Sequence, residues 1–328
     1  MKWPDLLMSP DRVEWAFEKA IFSRVSPLSS LNPLHPRWLA FTAFVLLGLF
    51  LLRRIRGSSR NPFKEFIHPE YFQYKYFGLD AIYWLLNIPV AFLLFYFHFP
   101  QMILDFFFDF LPERSQLVSY LNLHWSSELS RKLVFSVGFV VVQDFASYVS
   151  HRCVHEIDFL WRFHKIHHFP DKISPLTFLR LHPLESLFRV LVLSFFITLF
   201  IRVVHPVLNL DSDFYLLGTP VLWFANNLYN NFSHCHMWVH WPRMAVIFRS
   251  PAMHLIHHEK ALNREGKNYG NIFSLWDLIF GTYLSPEKEP ANLKFGIAES
   301  DPRQIGFWSS LSSPFQRASG KEARLTKT

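Results

Sequence analysis

Cysteine is nearly missing from this chain: 328 residues hold two, Cys153 and Cys235. That count excludes a disulfide framework. No G-x-G-x-x-G run occurs, and no cysteine pattern suits an iron–sulfur cluster or a c-type haem; a built-in dinucleotide or electron-carrier site is therefore not expected. Charge is scarce too. Only 18% of residues are Asp, Glu, Lys or Arg, against about a quarter in an ordinary soluble domain. The net charge of +7 could suggest nucleic acid, but the basic residues gather beside apolar spans and form no recognition stripe, so no nucleic-acid partner is expected.

What is abundant is apolar. Half of the residues are hydrophobic and 37 are phenylalanine. Apolar runs cover residues 38–52, 81–99, 133–150, 187–204 and 214–229. Each approaches the roughly 20 residues that cross a bilayer as a helix. The acidic stretch 100–113 is too short to cross and reads as interfacial. Arg53, Arg54, Arg56 and Arg60 close the first run and mark its cytoplasmic end. Counting spans from there delivers residues 151 and 234 to the same, cytoplasmic, face. The amino terminus carries Asp5, Asp11, Glu14 and Glu18 before any apolar run, unlike a secretory signal. The fold class expected is all-α: an integral, multi-pass membrane bundle with a cytoplasmic, histidine-rich, metal-binding cap. Three regions are expected: 1–130, an interfacial segment and first spans; 131–285, the catalytic domain; and 286–328, a polar tail.

Thirteen of the 17 histidines fall between His151 and His258. Eleven of these form HRCVH (His151, His155), HKIHH (His164, His167, His168), HCHMWVH (His234, His236, His240) and HLIHH (His254, His257, His258). Spacings of three and four put side chains on one helix face, about 5–6 Å apart at Cβ. Neutral imidazole is a strong ligand for iron, zinc, copper and nickel. The ligand set expected is His151, His155, His164, His167, His168, His234, His236, His254, His257 and His258, with His240 and His182 as further candidates. Asp144 lies two turns before His151 and is expected to hold a ligating histidine's distal nitrogen, since an intramembrane acid needs a partner. Asp277 is a similar candidate or a helix-end residue, and Asn268 and Gly270 read as a turn beneath the site.

Residues 144–185, with NNFSHCHMWVHWP, SPAMHLIHHEK and KNYGNIFSLWDLIFGTY further on, resemble the sterol desaturase and fatty acid hydroxylase superfamily over roughly residues 131–285. The resemblance implies an integral membrane enzyme with a histidine-ligated pair of iron ions (zinc being a substitute on purification). It implies O2-dependent hydroxylation or desaturation of a lipid: sterol, hopanoid, fatty acyl or related. Phe169 and Glu259 follow the double histidines where relatives often carry serine. Two of the four electrons that reduce dioxygen must come from a separate donor, a reductase with a ferredoxin or cytochrome, docking on the cytoplasmic face. Arg131, Lys132, Arg152, Arg162 and Lys165 could attract it, or equally anchor to anionic headgroups. Two alternatives stay open: a di-zinc membrane lipid hydrolase, and a metal transporter, which the ligands' place at helix ends disfavours.

Overall fold

The computed structural model describes residues 77–96, 127–208, 229–230, 233–234, 238–260, 262, 266–286, 293–297 and 306–316. The expected span over 38–52, all of that over 214–229 except Tyr229, the interfacial stretch 100–113, and His236 lie outside them. Among the described residues the fold is helical. Two isolated bridges, Phe248 with Phe273 and Glu259 with Phe295, are its only β pairings there.

Seven α-helices carry these residues: α1 (Phe77–Tyr96), α2 (Glu128–Glu156), α3 (Asp158–His168), α4 (Pro183–Leu208), α5 (Pro251–His257), α6 (Leu275–Ile279) and α7 (Phe307–Ser312). Two of them, α2 and the 183–201 part of α4, are long and apolar enough to cross a membrane. Ser127 caps α2, its hydroxyl accepting from the Ser130 amide; such a cap satisfies an orphan N–H of the first turn. The helix then outruns the expected span and carries His151 and His155 on its last turns.

Helices α2 and α4 pack along their length through phenylalanine. Phe135, Phe139 and Phe200 form one cluster, and Phe145 meets Phe196 edge to face at 5.3 Å. A Cβ on Gly138 would meet the Phe200 ring at 2.8 Å, so the helices approach at a glycine. Helix α1 is tied to the chain entering α4 by buried polar groups. Asp80 accepts from Arg180 Nε and from Ser174 and Thr177 hydroxyls. Asn87 donates to the Tyr83 and Leu181 carbonyls, each at 2.9 Å. Buried acid–base pairs of this kind hold only when every partner is present, which fixes where α4 starts.

Helix α7 closes the far side. Ser310 hydrogen-bonds Tyr83 at 2.9 Å, and the Leu311 carbonyl meets His182 Nε2 at 3.0 Å. The histidine boxes thus lie where the ends of α2, α3 and α5 converge.

Candidate metal centre

Helix α3 starts one residue after α2 ends, with Ile157 in extended conformation between them. The chain therefore folds back, and the i, i+3 and i+4 positions of α3 bring His164, His167 and His168 over His151 and His155. Helix α5 is short, with Ser250 as N-cap and Pro251 in its first turn, residue types suited to those places. It supplies His254 and His257, and His258 is its C-cap. His234 arrives from a separate turn.

These nine histidines fall into two groups. Ring nitrogens of His151, His155, His164, His168 and His257 lie within 4.8 Å of one another, as do those of His167, His234, His254 and His258. All nine residues are buried. Nε2 of His164 stands 3.1 Å from that of His155 and 3.2 Å from that of His168. In the second group the Nε2 separations are 2.9 Å for His234–His254, 3.2 Å for His254–His258 and 3.3 Å for His167–His234. With metal–nitrogen bonds of about 2.1 Å, neighbouring ligands of an octahedral ion stand about 3.0 Å apart. The groups share a wall, for His168 stacks on His258 with centroids 4.3 Å apart.

Four of the far nitrogens, those of His151, His164, His234 and His257, are held by acceptors. His151 Nδ1 donates to the Tyr269 carbonyl (2.9 Å), His234 Nδ1 to the Asn230 carbonyl (2.7 Å) and His257 Nδ1 to the Lys267 carbonyl (2.8 Å). His164 Nδ1 donates to Glu185 (2.7 Å), which also accepts from Arg189 Nε (2.8 Å). A proton fixed on Nδ1 leaves the Nε2 lone pair facing the group, the tautomer a metal ligand needs. His257 Nε2 is buried without a hydrogen-bond partner. Such an atom is costly unless something fills the site. The donor set and this lone atom fit a pair of metal ions.

Burial lowers the pKa of His164, with Glu185 opposing the shift. Burial also pushes His234 down to about 3 and lowers His167, His168, His254, His257 and His258 well below the ordinary value, neighbouring cationic forms adding to it. Neutral rings are the ligating form.

The KNYG stretch forms the floor. Asn268 adopts φ +59°, and its side chain clamps the Met253 and Leu284 carbonyls and the Leu284 amide. Asp277 accepts from the Tyr269 and Gly270 amides, both at 2.8 Å, and from Thr282 at 2.7 Å. Burial raises the Asp277 pKa to about 6 against those donors. A Cβ on Gly270 would fall 2.3 Å from the Phe273 carbonyl oxygen, so glycine is required there.

Three of the candidates read from sequence are not brought to the histidine groups. Asp144 holds no histidine: its carboxylate accepts from the Ile272 amide (2.7 Å), the Phe273 amide (3.0 Å) and the Trp276 indole (3.0 Å). A buried carboxylate needs donors, and here a neighbouring loop supplies them. His182 joins neither group, because the Leu184 amide donates to its Nδ1 and its Nε2 meets the Leu311 carbonyl. His240 also stands outside, with Nδ1 2.9 Å from the Ser250 hydroxyl.

Sequence reading missed Glu185, Arg249 and the carbonyls of Asn230, Lys267 and Tyr269. A lone acid opening an apolar helix was a usable signal for Glu185. Buried Arg249 contacts His254 Nδ1 and donates to the Asn271 carbonyl at 2.7 Å; nothing in its local sequence marks it.

Two HxxHH runs, an HxxxH one helix earlier and a shared buried pocket define a class, and the comparisons agree. The fatty acid hydroxylase family model matches residues 136–282, and that match together with the relatives below supports the sterol desaturase/fatty acid hydroxylase superfamily. Among relatives, ornithine lipid hydroxylase OlsE of Rhizobium tropici is 28% identical over 210 residues, covering 62% of this chain and 57% of that protein. Alkylglycerol monooxygenase of Homo sapiens is 28% identical over 190 residues, covering 57% and 38%. Fatty acid hydroxylase vlmA of Lecanicillium sp is 28% identical over 193 residues, covering 55% and 50%. The match thus spans little more than half of these relatives at most. No solved structure matches the chain.

Proposed function

We propose that this protein is a membrane-spanning, di-iron lipid hydroxylase, which uses dioxygen and electrons from a separate protein donor. The observation that carries the reading is the pair of buried all-histidine groups, five rings beside four, sharing the His168–His258 wall. Relatives named as hydroxylases or monooxygenases of ornithine lipid, alkylglycerol and fatty acid support a lipid with a long alkyl chain as substrate. Helices α2 and α4 cross the bilayer, and the histidine groups sit at its cytoplasmic face.

His151, His155, His164, His168 and His257 would hold one ion, and His167, His234, His254 and His258 the other; His236, a ligand candidate from sequence, lies outside the described residues. The ion pair supplies dioxygen activation and the oxidising power a C–H bond demands. The chain supplies the rest. The Tyr269, Lys267 and Asn230 carbonyls keep three rings in the ligating tautomer. Glu185 does the same for His164 and puts negative charge behind the first group. Neutral nitrogen ligands without carboxylates make the site more oxidising than a carboxylate-bridged one. The balance is R–H plus O2 plus two electrons and two protons, giving R–OH and water. Hydrolysis would want a carboxylate base beside the metals. Among the described residues Glu185 is the acid that reaches a ring, and His164 and Arg189 engage it.

The test is mass spectrometry of total lipid from cells with and without the gene, with His167→Ala as control. A class of lipid heavier by one oxygen, present with the intact gene and absent with the variant, is expected. A loss of two hydrogens instead would make the enzyme a desaturase, and an unchanged lipid profile would overturn the reading.

A further inference from the structure

Helix α6 and the loop 241–248 form one unit beside α2. The Ser274 amide donates to the Ile247 carbonyl at 3.0 Å, the Arg249 amide to the Ile272 carbonyl at 2.9 Å, and Phe248 bridges Phe273. The Ser274 hydroxyl donates to the Ala245 carbonyl and the Trp241 indole to the Phe248 carbonyl. The unit's outer surface is apolar. Met244, Val246 and Ile247 from the loop, and Leu275, Leu278 and Ile279 from α6, are all exposed. Between 241 and 248 and between 272 and 284 the charged residues are Arg243, exposed, and Asp277, buried.

The level of this surface along α2 is fixed by contacts. Trp276 donates to Asp144 and packs its ring, tilted, against Phe145 at 4.9 Å. Phe280, at the other end of α6, stacks on Tyr148 at 5.4 Å, with the Arg152 guanidinium over its ring at 5.9 Å. Helix α6 therefore runs from the Asp144 level toward the histidine-bearing end. Seven residues separate Asp144 from His151, about 10 Å at about 1.5 Å per residue. A hydrocarbon core is about 30 Å thick, so if α2 spans, the start of α6 lies well inside one leaflet. Non-helical backbone survives at that depth only where its polar groups are satisfied by protein. That condition is met here: Asp144 takes the Ile272 and Phe273 amides, and Asp277 takes those of Tyr269 and Gly270.

We propose that the loop 241–248 and helix α6 form a membrane-immersed wedge, its apolar face covered by lipid acyl chains and Arg243 reaching the headgroup phosphates. The inference rests on α2 crossing the membrane, and goes beyond the hydroxylase reading by assigning a lipid-contact surface outside the spans. Continuity with the exposed apolar face of α2, where Val137 and Leu133 stand open, and an outward charge confined to Arg243 favour lipid over a protein partner. It also gives Asp144 its purpose: satisfying loop amides that water cannot reach.

The test places an environment-sensitive fluorophore on Ile247→Cys and Ile279→Cys, in a Cys153→Ser, Cys235→Ser background, in proteoliposomes of the metal-loaded protein. Val137→Cys reports the span and Lys294→Cys reports water. Lipids bearing nitroxide on the acyl chain should quench the labels at 247 and 279 as strongly as the label at 137. Aqueous iodide should quench only the label at 294. Iodide quenching at 247 and 279, with 137 still lipid-quenched, overturns the wedge and leaves the span. Protection from both quenchers means that a protein, such as a second copy of the chain, covers the face, and also overturns it. A label at 137 quenched by iodide alone removes the span and the wedge together.

Discussion

His164 Nδ1 lies 2.7 Å from Glu185 Oε1, and both side chains are wholly buried. Helix α3 and the opening of α4 therefore meet at one charge-assisted hydrogen bond, whose other end turns Nε2 toward His155 and His168. Replacing Glu185 by Gln keeps the shape and removes the charge. A loss of about 10- to 100-fold in metal affinity or turnover is expected, the usual size for a partner behind a ligating histidine. Metal titration of the purified variant measures it; unaltered affinity would detach Glu185 from the site.

Ligand and non-ligand histidines should separate cleanly by metal content. The purified protein should hold about two ions per chain, and His167→Ala should lower that number, since its ring belongs to the second group. His182→Ala should leave it unchanged, because both its ring nitrogens are engaged elsewhere. Elemental analysis of the two variants side by side decides the assignment, and equal losses would count against it.

Gly266 backs onto the first group. A Cβ there would meet Tyr269 Cε1 at 2.7 Å and His155 Nδ1 at 3.0 Å. Gly266→Ala must push one of those rings, at a cost of about 1–3 kcal/mol, and should reduce metal retention. Gly78→Ala, where nothing lies within 4 Å, should leave the melting temperature near its starting value. Thermal unfolding in detergent compares the two.

Acid should destabilise the metal-free protein. The folded-state pKa values of His164, His167, His168, His234, His254, His257 and His258 lie below 6.5, chiefly through burial. Their unfolded forms bind protons first, so stability is complete above about pH 6.5 and falls as pH drops below it. Asp277 works the other way: its raised pKa of about 6 costs stability as pH rises from 3.8 through that value. Seven histidines outweigh one aspartate, so the net slope is a loss on acidification. Melting temperature between pH 7.5 and 5 should fall; a flat profile would mean the rings are not buried neutral.

Asp144→Asn should harm the fold before the chemistry. The carboxylate serves three donors with two oxygens, and an amide would turn an N–H against one of them. Leaving a buried donor unmet costs about 1–3 kcal/mol. A lower melting temperature, with metal content intact in the folded fraction, is expected; unchanged stability with lost metal would restore the direct histidine contact.

Much of the site was legible because the helical repeat does the work of placement. Once HRCVH, HKIHH and HLIHH are read as helical, each run's inward face follows, and nine of the ten ligands read from sequence fall into the two groups. The partner of Asp144 was not legible, because local spacing pointed along α2 while its true donors lie about 130 residues away. His182 misled for a related reason: RLHPLE looks like another box, yet the ring caps the entry to α4 and meets α7. The carbonyls behind His151, His234 and His257 carry no side-chain signature, so no sequence pattern announces them.

The histidine groups have a consequence for a chain with two cysteines. Their members come from α2, α3, the turn at 233–234, and α5, so filled groups would clip together segments as distant as His151 and His257. Closing loops of that length removes much of the freedom of the unfolded chain. The metals would then serve as the staples that a secreted protein draws from disulfides, and losing them and unfolding the cap would be a single cooperative event.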